Sequence, residues 1–483
     1  MATLHFPQSC CRAGVARRDI TPPVGIYHRM WGAATHDRST GVHRPLLATA
    51  LVLESQDPGS LGRHVLVAVD HCLLRANDMA KLHSTVCATT GTAEHELQIA
   101  FSHTHGAGLM DRSREALPGG ELIGPYLDRL AVLISEAVQE AVAHLQSAML
   151  VYGAGHCELA AHRDYWDEAS QQFVCGFNPQ GPTDNTLQLA RVEDLAGKTL
   201  AVVVNYACHP TTLAWDNTLI SPDYIGAMRE VVEQAQGGLC VFFQGASGDL
   251  GPPEGYVGDP AVADRNGRQL GYAVLSALEK LPQAGLRYEY AEPVVSGATI
   301  GVWRYAPVSE NADHLQIWRS RDWTLELPYR ADLPTIEQTR AELAHWQQAE
   351  QAAQQTHDAA TARDCRARVE RMTRQLMRIG QLPPGSHFPL SVTLWRLGDG
   401  YWLMLEGEYY HALQRVLRER FPSTPLIVAT VVNGWRPAYL PTRNTYGLGI
   451  YQEQVAVLAP GCLETVIEAV AEQIAAWQRD TAL

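Results

Sequence analysis

Leu97-Gln98-Ile99-Ala100-Phe101-Ser102-His103-Thr104-His105-Gly106 is an apolar run that ends on two histidines. A run of this length, bounded by polar residues, predicts a buried strand. In extended backbone, residues i and i+2 face the same side, so His103 and His105 can converge on one point. Zinc favours imidazole nitrogen and carboxylate oxygen, with a position left open for water. The chain holds 19 histidines, and an HxH pair alone leaves a metal site and two structural histidines equally open.

Outward from this stretch the pattern recurs. Residues 46–53 and 64–70 are apolar strands, the second ending on Asp70. Residues 200–206 form a buried strand that runs into Cys208-His209-Pro210, and residues 239–243 enter the loop Gly245-Ala246-Ser247-Gly248-Asp249. Helical periodicity marks 126–145 and 225–235. Alternation of this kind predicts an α/β protein, a mixed β-sheet core with flanking helices. Strands resume at 390–395, 401–405 and 426–432, and a C-terminal helix is expected over 455–477.

Four strand ends therefore carry chemistry-bearing side chains: Asp70, His103 with His105, His209, and Asp249. In α/β sheets ligands gather at strand ends, where loops expose side chains held by a rigid sheet. Singly, each has a plainer reading. His209, made extended by Pro210, can be a core histidine. Asp249 can sit in an ordinary turn, although neighbouring glycines let backbone approach a ligand. Glu408 stands where a carboxylate also caps a helix. Tyr439 lies in a loop past the last strong strand.

Residues 334–380 differ from the rest. They are rich in Ala, Gln, Glu and Arg, with sparse apolar positions, and predict a long helix or helical hairpin at the surface. This arm is inserted into one unit over residues 13–480 and offers a route to a homo-oligomer. The net charge of −14 argues against a nucleic-acid partner. No run of about 18 apolar residues predicts a transmembrane segment. The N-terminus has no export pattern, and the ten cysteines have no regular spacing, so a cytoplasmic protein with free thiols is expected.

Taken together, the pieces resemble the neutral (non-lysosomal) ceramidase family. The resemblance rests on Ala13-Gly14-Val15-Ala16-Arg17-Arg18-Asp19-Ile20-Thr21-Pro22, Gly41-Val42-His43-Arg44-Pro45-Leu46, and His103-Thr104-His105-Gly106. It continues with His209-Pro210, Ile220-Ser221-Pro222-Asp223-Tyr224-Ile225-Gly226 and Gly248-Asp249-Leu250-Gly251-Pro252. Glu406-Gly407-Glu408 and Tyr439-Leu440-Pro441-Thr442 complete the set in the family's order. It implies a neutral-ceramidase-like catalytic domain with a long helical insertion and one zinc, or another divalent transition metal, per chain. The implied ligands are His103, His209, Glu408 and Tyr439. His105, Arg163, Asp249 and Tyr451 are implied to serve catalysis or face the substrate. Asp70, Asp223 and Asp249 would orient ligands through hydrogen bonds. The implied activity is an amidohydrolase acting on an N-acyl or related bond of a small molecule through metal-bound water.

Two departures shape that expectation. Where ceramidases carry a catalytic serine, two positions after the Gly-Asp aspartate, this chain has Gly251, although Ser247 lies close in sequence. The family's C-terminal immunoglobulin-like domain is not expected after the last helix. A smaller, polar substrate is favoured. A ceramide-like lipid amide, or a non-catalytic metal-binding role, stands as the alternative.

Overall fold

The computed structural model describes residues 2–56, 62–308 and 312–480. Its core is a mixed sheet of eight strands. Across the sheet they run Leu239–Gln244, Thr199–Tyr206, Thr186–Asp194, Gln146–His156, Gln8–Asp19, Leu47–Glu54, Arg63–Val69 and Leu97–Phe101. The outermost pair at each edge is parallel and the inner pairs are antiparallel. The parallel edges put the ends of Leu97–Phe101, Thr199–Tyr206 and Leu239–Gln244 where loops can meet.

Both faces of this sheet are covered, which is why its strands read as near-continuous apolar runs. In Leu47–Glu54, Ala48, Ala50 and Val52 face one core, while Leu51 and Leu53 face another. The first face is packed by helices α1 (Ala76–Thr90) and α2 (Ile123–Ala143), and further along by α3 (Tyr224–Gln236) and α4 (Pro260–Leu278). Pro260 at the first turn and the Asp259 side chain, which accepts from the Ala261 N–H, fix where α4 begins.

The second face meets another sheet of four strands, Trp318–Pro328, His387–Leu397, Gly400–Leu405 and Leu426–Ala429. Trp395, Trp402, Met404 and Ile427 fill the space between the sheets.

Between those strands lie α5 (Ile336–Gln355) and α6 (Ala359–Gly380), packed against each other. Thr335 and Gln338 form a capping box that starts α5, and Asp358 caps α6. α6 meets the body closely at Gly32, where a Cβ would stand 3.1 Å from that of Ala367.

Helix α7 (Ala412–Arg420) and the long C-terminal helix cover the outer face of the smaller sheet. The layers are helices, sheet, sheet and helices. The C-terminal helix expected over 455–477 starts later, as α9 (Cys462–Asp480), and the short α8 (Tyr451–Val455) precedes it. Pro460 and the left-handed Gly461 separate them (φ 98°). Among the described residues no helix is long and apolar enough to cross a membrane, and all ten cysteines are free thiols.

Candidate metal centre

His103 follows the edge strand Leu97–Phe101 and is bent into left-handed backbone (φ 66°). Such a conformation is uncommon for a bulky side chain and persists only where its surroundings fix it. Here the His103 N–H donates to the His71 carbonyl (2.9 Å), and its Nδ1 lies 2.8 Å from the Cys72 carbonyl oxygen. His209 is fixed in the same way. Its N–H donates to the Leu250 carbonyl (3.0 Å), and its Nδ1 lies 3.0 Å from the Ser247 carbonyl oxygen.

An Nδ1 that faces a carbonyl must carry the proton. In the neutral ring each Nε2 is then a lone pair, and the two Nε2 atoms stand 3.2 Å apart, so they share the space only with a proton or a metal cation between them and their neighbours. Glu408 Oε2 lies 3.3 Å from one and 3.2 Å from the other, with no hydrogen-bond partner of its own. Three electron-rich atoms aimed at one another, all buried, repel unless a cation lies among them.

Protonation of the cluster reflects the same demand. Burial opposes a charged His103, but the Cys72 thiol and the Glu408 carboxylate outweigh it and hold the imidazole well above its ordinary range. Burial, Arg163 and the neighbouring histidines push His209 well below that range. Two imidazole nitrogens and a carboxylate oxygen form a donor set of the kind that holds zinc or a similar divalent ion.

Glu408 and Tyr439 are set side by side by a short parallel bridge, with the Glu408 N–H donating to the Ala438 carbonyl (2.8 Å). The other Glu408 oxygen accepts from the Trp435 indole N–H. The Tyr439 hydroxyl accepts from the Arg163 guanidinium at 3.2 Å. Arg163 also donates to the Gly248 carbonyl (2.6 Å) and packs 5.6 Å over the Tyr439 ring. The His105 ring lies 5.2 Å from that of His103 and 5.6 Å from that of His209, and neither of its nitrogens has a partner among the described residues. Burial, His103, Arg163 and Arg374 push it well below its ordinary value, so it is neutral.

A cavity of about 430 Å³ opens on this cluster, a size suited to a small ligand. His105, Arg163, His209, Tyr439 and Tyr451 all line it. Tyr451 stands with its ring 6.0 Å from that of Tyr439.

Asp249 departs from the expectation that it serves the site. Its carboxylate turns away onto His411, accepting from the backbone N–H (2.8 Å) and lying 2.7 Å from Nδ1, and it does not line the cavity. Asp70 is equally remote, held by two contacts of 3.0 Å to Arg229 on α3. Asp223 caps α3 and accepts from the Leu213 N–H, and burial raises its carboxyl to about 6. Of the carboxylates expected near the histidines, only Glu408 reaches them. Ser247 meets His209 Nδ1 through its backbone carbonyl (3.0 Å) and, at 3.5 Å, its hydroxyl.

Several lining residues escaped the sequence reading. Trp31, Trp215 and Tyr256 form an aromatic wall, with ring centroids 5.7 to 6.4 Å apart. The Trp31 ring is 5.1 Å from that of His105. Glu370, Arg371, Arg374 and Arg378, all from α6, also line the cavity. Their spacing of three and four residues was the available signal, since it places them on one helix face.

Residues 12–252 match the family described as neutral/alkaline non-lysosomal ceramidase, N-terminal. Over that span the chain belongs to the neutral/alkaline non-lysosomal ceramidase family. The span contains His103, His105, Arg163 and His209, while Glu408 and Tyr439 lie beyond it. Among solved structures, the neutral ceramidase from Pseudomonas aeruginosa is similar over 97% of this chain and 74% of its own, with a TM-score of 0.64 and 15% identity. A ceramidase complexed with C2 is similar over 96% and 74%, with a TM-score of 0.63 and 16% identity. At such identity the likeness is one of fold. A search of curated proteins returned no match.

Proposed function

We propose that this ceramidase-family chain is a metal-dependent hydrolase, with zinc as the metal, that cleaves an amide (N-acyl) bond of a small molecule. The observation that carries this reading is the convergence of His103 Nε2, His209 Nε2 and the unpartnered Glu408 Oε2 beside a cavity that His209 lines. His103, His209 and Glu408 would hold the ion, with Tyr439 beside them as the fourth group. Zinc held there supplies a Lewis acid that polarises a carbonyl and makes water a competent nucleophile near neutral pH.

The chain's own residues supply the rest. Arg163, fixed by Gly248 and Tyr439, places a buried positive charge where negative charge builds on the carbonyl oxygen. His105, neutral and unpartnered, is suited to take the proton lost by water and return it to the departing amine nitrogen. The aromatic wall of Trp31, Trp215 and Tyr256 would bind the apolar part of the substrate. Residues 13–480 would act as one unit, with the hairpin within 334–380 completing the pocket.

The test joins metal analysis to turnover. Protein supplied with zinc should carry about one ion per chain and cleave members of a panel of N-acyl compounds. His103→Ala should lose both properties, and His105→Ala should keep the metal and lose turnover. Metal-replete protein that cleaves nothing on the panel would instead be a binding protein. Cleavage confined to ceramide would favour a lipid amidase.

A further inference from the structure

One wall of the cavity is made by a single face of α6, where Ala367, Glu370, Arg371, Arg374, Gln375 and Arg378 recur at helical spacing. Three guanidinium groups on this face, with Arg163 below, surround a cavity in a chain of net charge −14. Part of this charge is structural. Glu370 accepts from Arg114 (2.7 Å) and Arg374 (2.6 Å), Arg374 also donates to the Met30 carbonyl, and Arg371 donates to Gln454 (2.6 Å).

Arg378 is different. It is 8% exposed, lines the cavity, and has neither an ion-pair nor a hydrogen-bond partner among the described residues, with its Nε buried and unsatisfied. Burial and the neighbouring arginines lower it to about 10, which still leaves it charged at neutral pH. A buried, unpaired cation is costly, and a guanidinium fork matches an anionic oxygen group in two parallel hydrogen bonds.

We propose that the α6 wall is a subsite for an anionic oxygen group, a carboxylate or a phosphate, and that the ligand of this cavity carries such a group beyond its apolar body. Resting on the hydrolase reading above, this makes the substrate an acidic N-acyl compound. Its scissile amide lies over His103, His209 and Glu408, its apolar part against Trp31 and Tyr256, and its charge against Arg378 and Arg371.

Calorimetric titration of the protein as purified, with 3-phenylpropionate, its uncharged carboxamide and phenethyl phosphate, tests this without turnover. An anion should bind about ten- to a hundredfold tighter than the carboxamide, the range of one charge-assisted contact. In Arg378→Gln that ratio should fall to near one. Arg371→Gln, at an exposed position, should reduce it in a protein whose folding is not in question. A phosphate that binds tighter than the carboxylate would assign the subsite to phosphate, and the reverse to carboxylate. Equal affinity of all three probes for the unaltered protein would overturn the proposal. So would a ratio that survives in both variants, because the anion would then be held elsewhere, for instance at the metal. Anion selectivity without turnover of any N-acyl compound would sink the hydrolase reading and leave the subsite standing.

Discussion

The cluster of His103, His209 and Glu408, which reaches the cavity through His209, and the wall that carries Arg371, Arg374 and Arg378 border the same cavity, but they are held by different means. On the first, each histidine follows a strand of the large sheet and is tied to its neighbours through its own backbone N–H and its ring nitrogen. Glu408 follows a strand of the smaller sheet and is set by a backbone bridge. On the second, the arginines stand on a helix that reaches the body largely through side-chain contacts, such as Glu370 to Arg114 and Arg366 to Asp37 (2.6 Å). Groups that must meet within a few tenths of an ångström sit on sheet ends. Groups that recognise a charge tolerate a looser mount.

The largest effect should come from the rigid wall. Glu408→Gln removes a charge from among two lone pairs and should weaken metal binding by more than about a hundredfold, since a hydrogen-bond partner behind a ligand is already worth about 10–100-fold. Competition with a chelator of known affinity measures it. The fold should survive, because the backbone bridge between Glu408 and Tyr439 does not use the side chain. Unchanged metal affinity would mean that the ion lies elsewhere, with Cys72, His103 and His105 the other group among the described residues close enough to hold one.

The mounted wall should respond in stability and order. Glu370→Gln breaks a nearly buried pair with Arg114 and should cost about 3 kcal/mol in a denaturant titration. Hydrogen exchange should rise along α6 while Leu97–Phe101 stays protected. Equal loosening of both would show the two walls to be one cooperative unit.

Acid gives the same comparison without mutation. Burial pushes the Glu370 carboxyl up, but Arg374 and Arg114 overcome it and hold the group down to about 2, against an ordinary 4.5. A carboxyl lowered by folding stabilises fully above its unfolded value and loses that contribution as pH falls toward its folded value. The stability difference between the unaltered protein and Glu370→Gln should therefore shrink between pH 4.5 and about 2. A constant difference across that window would remove the charge from the explanation.

What was legible in the sequence follows the same division. Apolar runs ending in His103, His209 or Asp70 announced strands and their ends, because a strand buried on both faces has little freedom in composition. The antiparallel strands Gln146–His156 and Thr186–Asp194 carried a weaker signal, and the stacking of two sheets had none, since it depends on which faces meet. Asp249 looked like a site residue because it ends a Gly-rich loop, but its destination depended on His411, far along the chain. The arm read as surface because its apolar positions are sparse. One face of α6 nevertheless lines the cavity, with charged side chains that an apolar pattern cannot announce.

The smallest expected effect concerns Gly251, where the resemblance to ceramidases asks for a serine. The position is not strained, and a Cβ there would meet only the Thr211 hydroxyl, at 3.7 Å. Gly251→Ser should therefore change stability by no more than about 0.5 kcal/mol. Thr211 lines the cavity and Gly251 does not, so a hydroxyl already stands on the cavity side of the place a serine would occupy. Turnover of an acidic N-acyl compound should then stay within about threefold, because no transition-state contact is gained. A gain of tenfold or more, together with new activity on uncharged ceramide-like amides, would show that the hydroxyl is decisive. Selectivity would then belong to the sheet-borne wall as well as to α6.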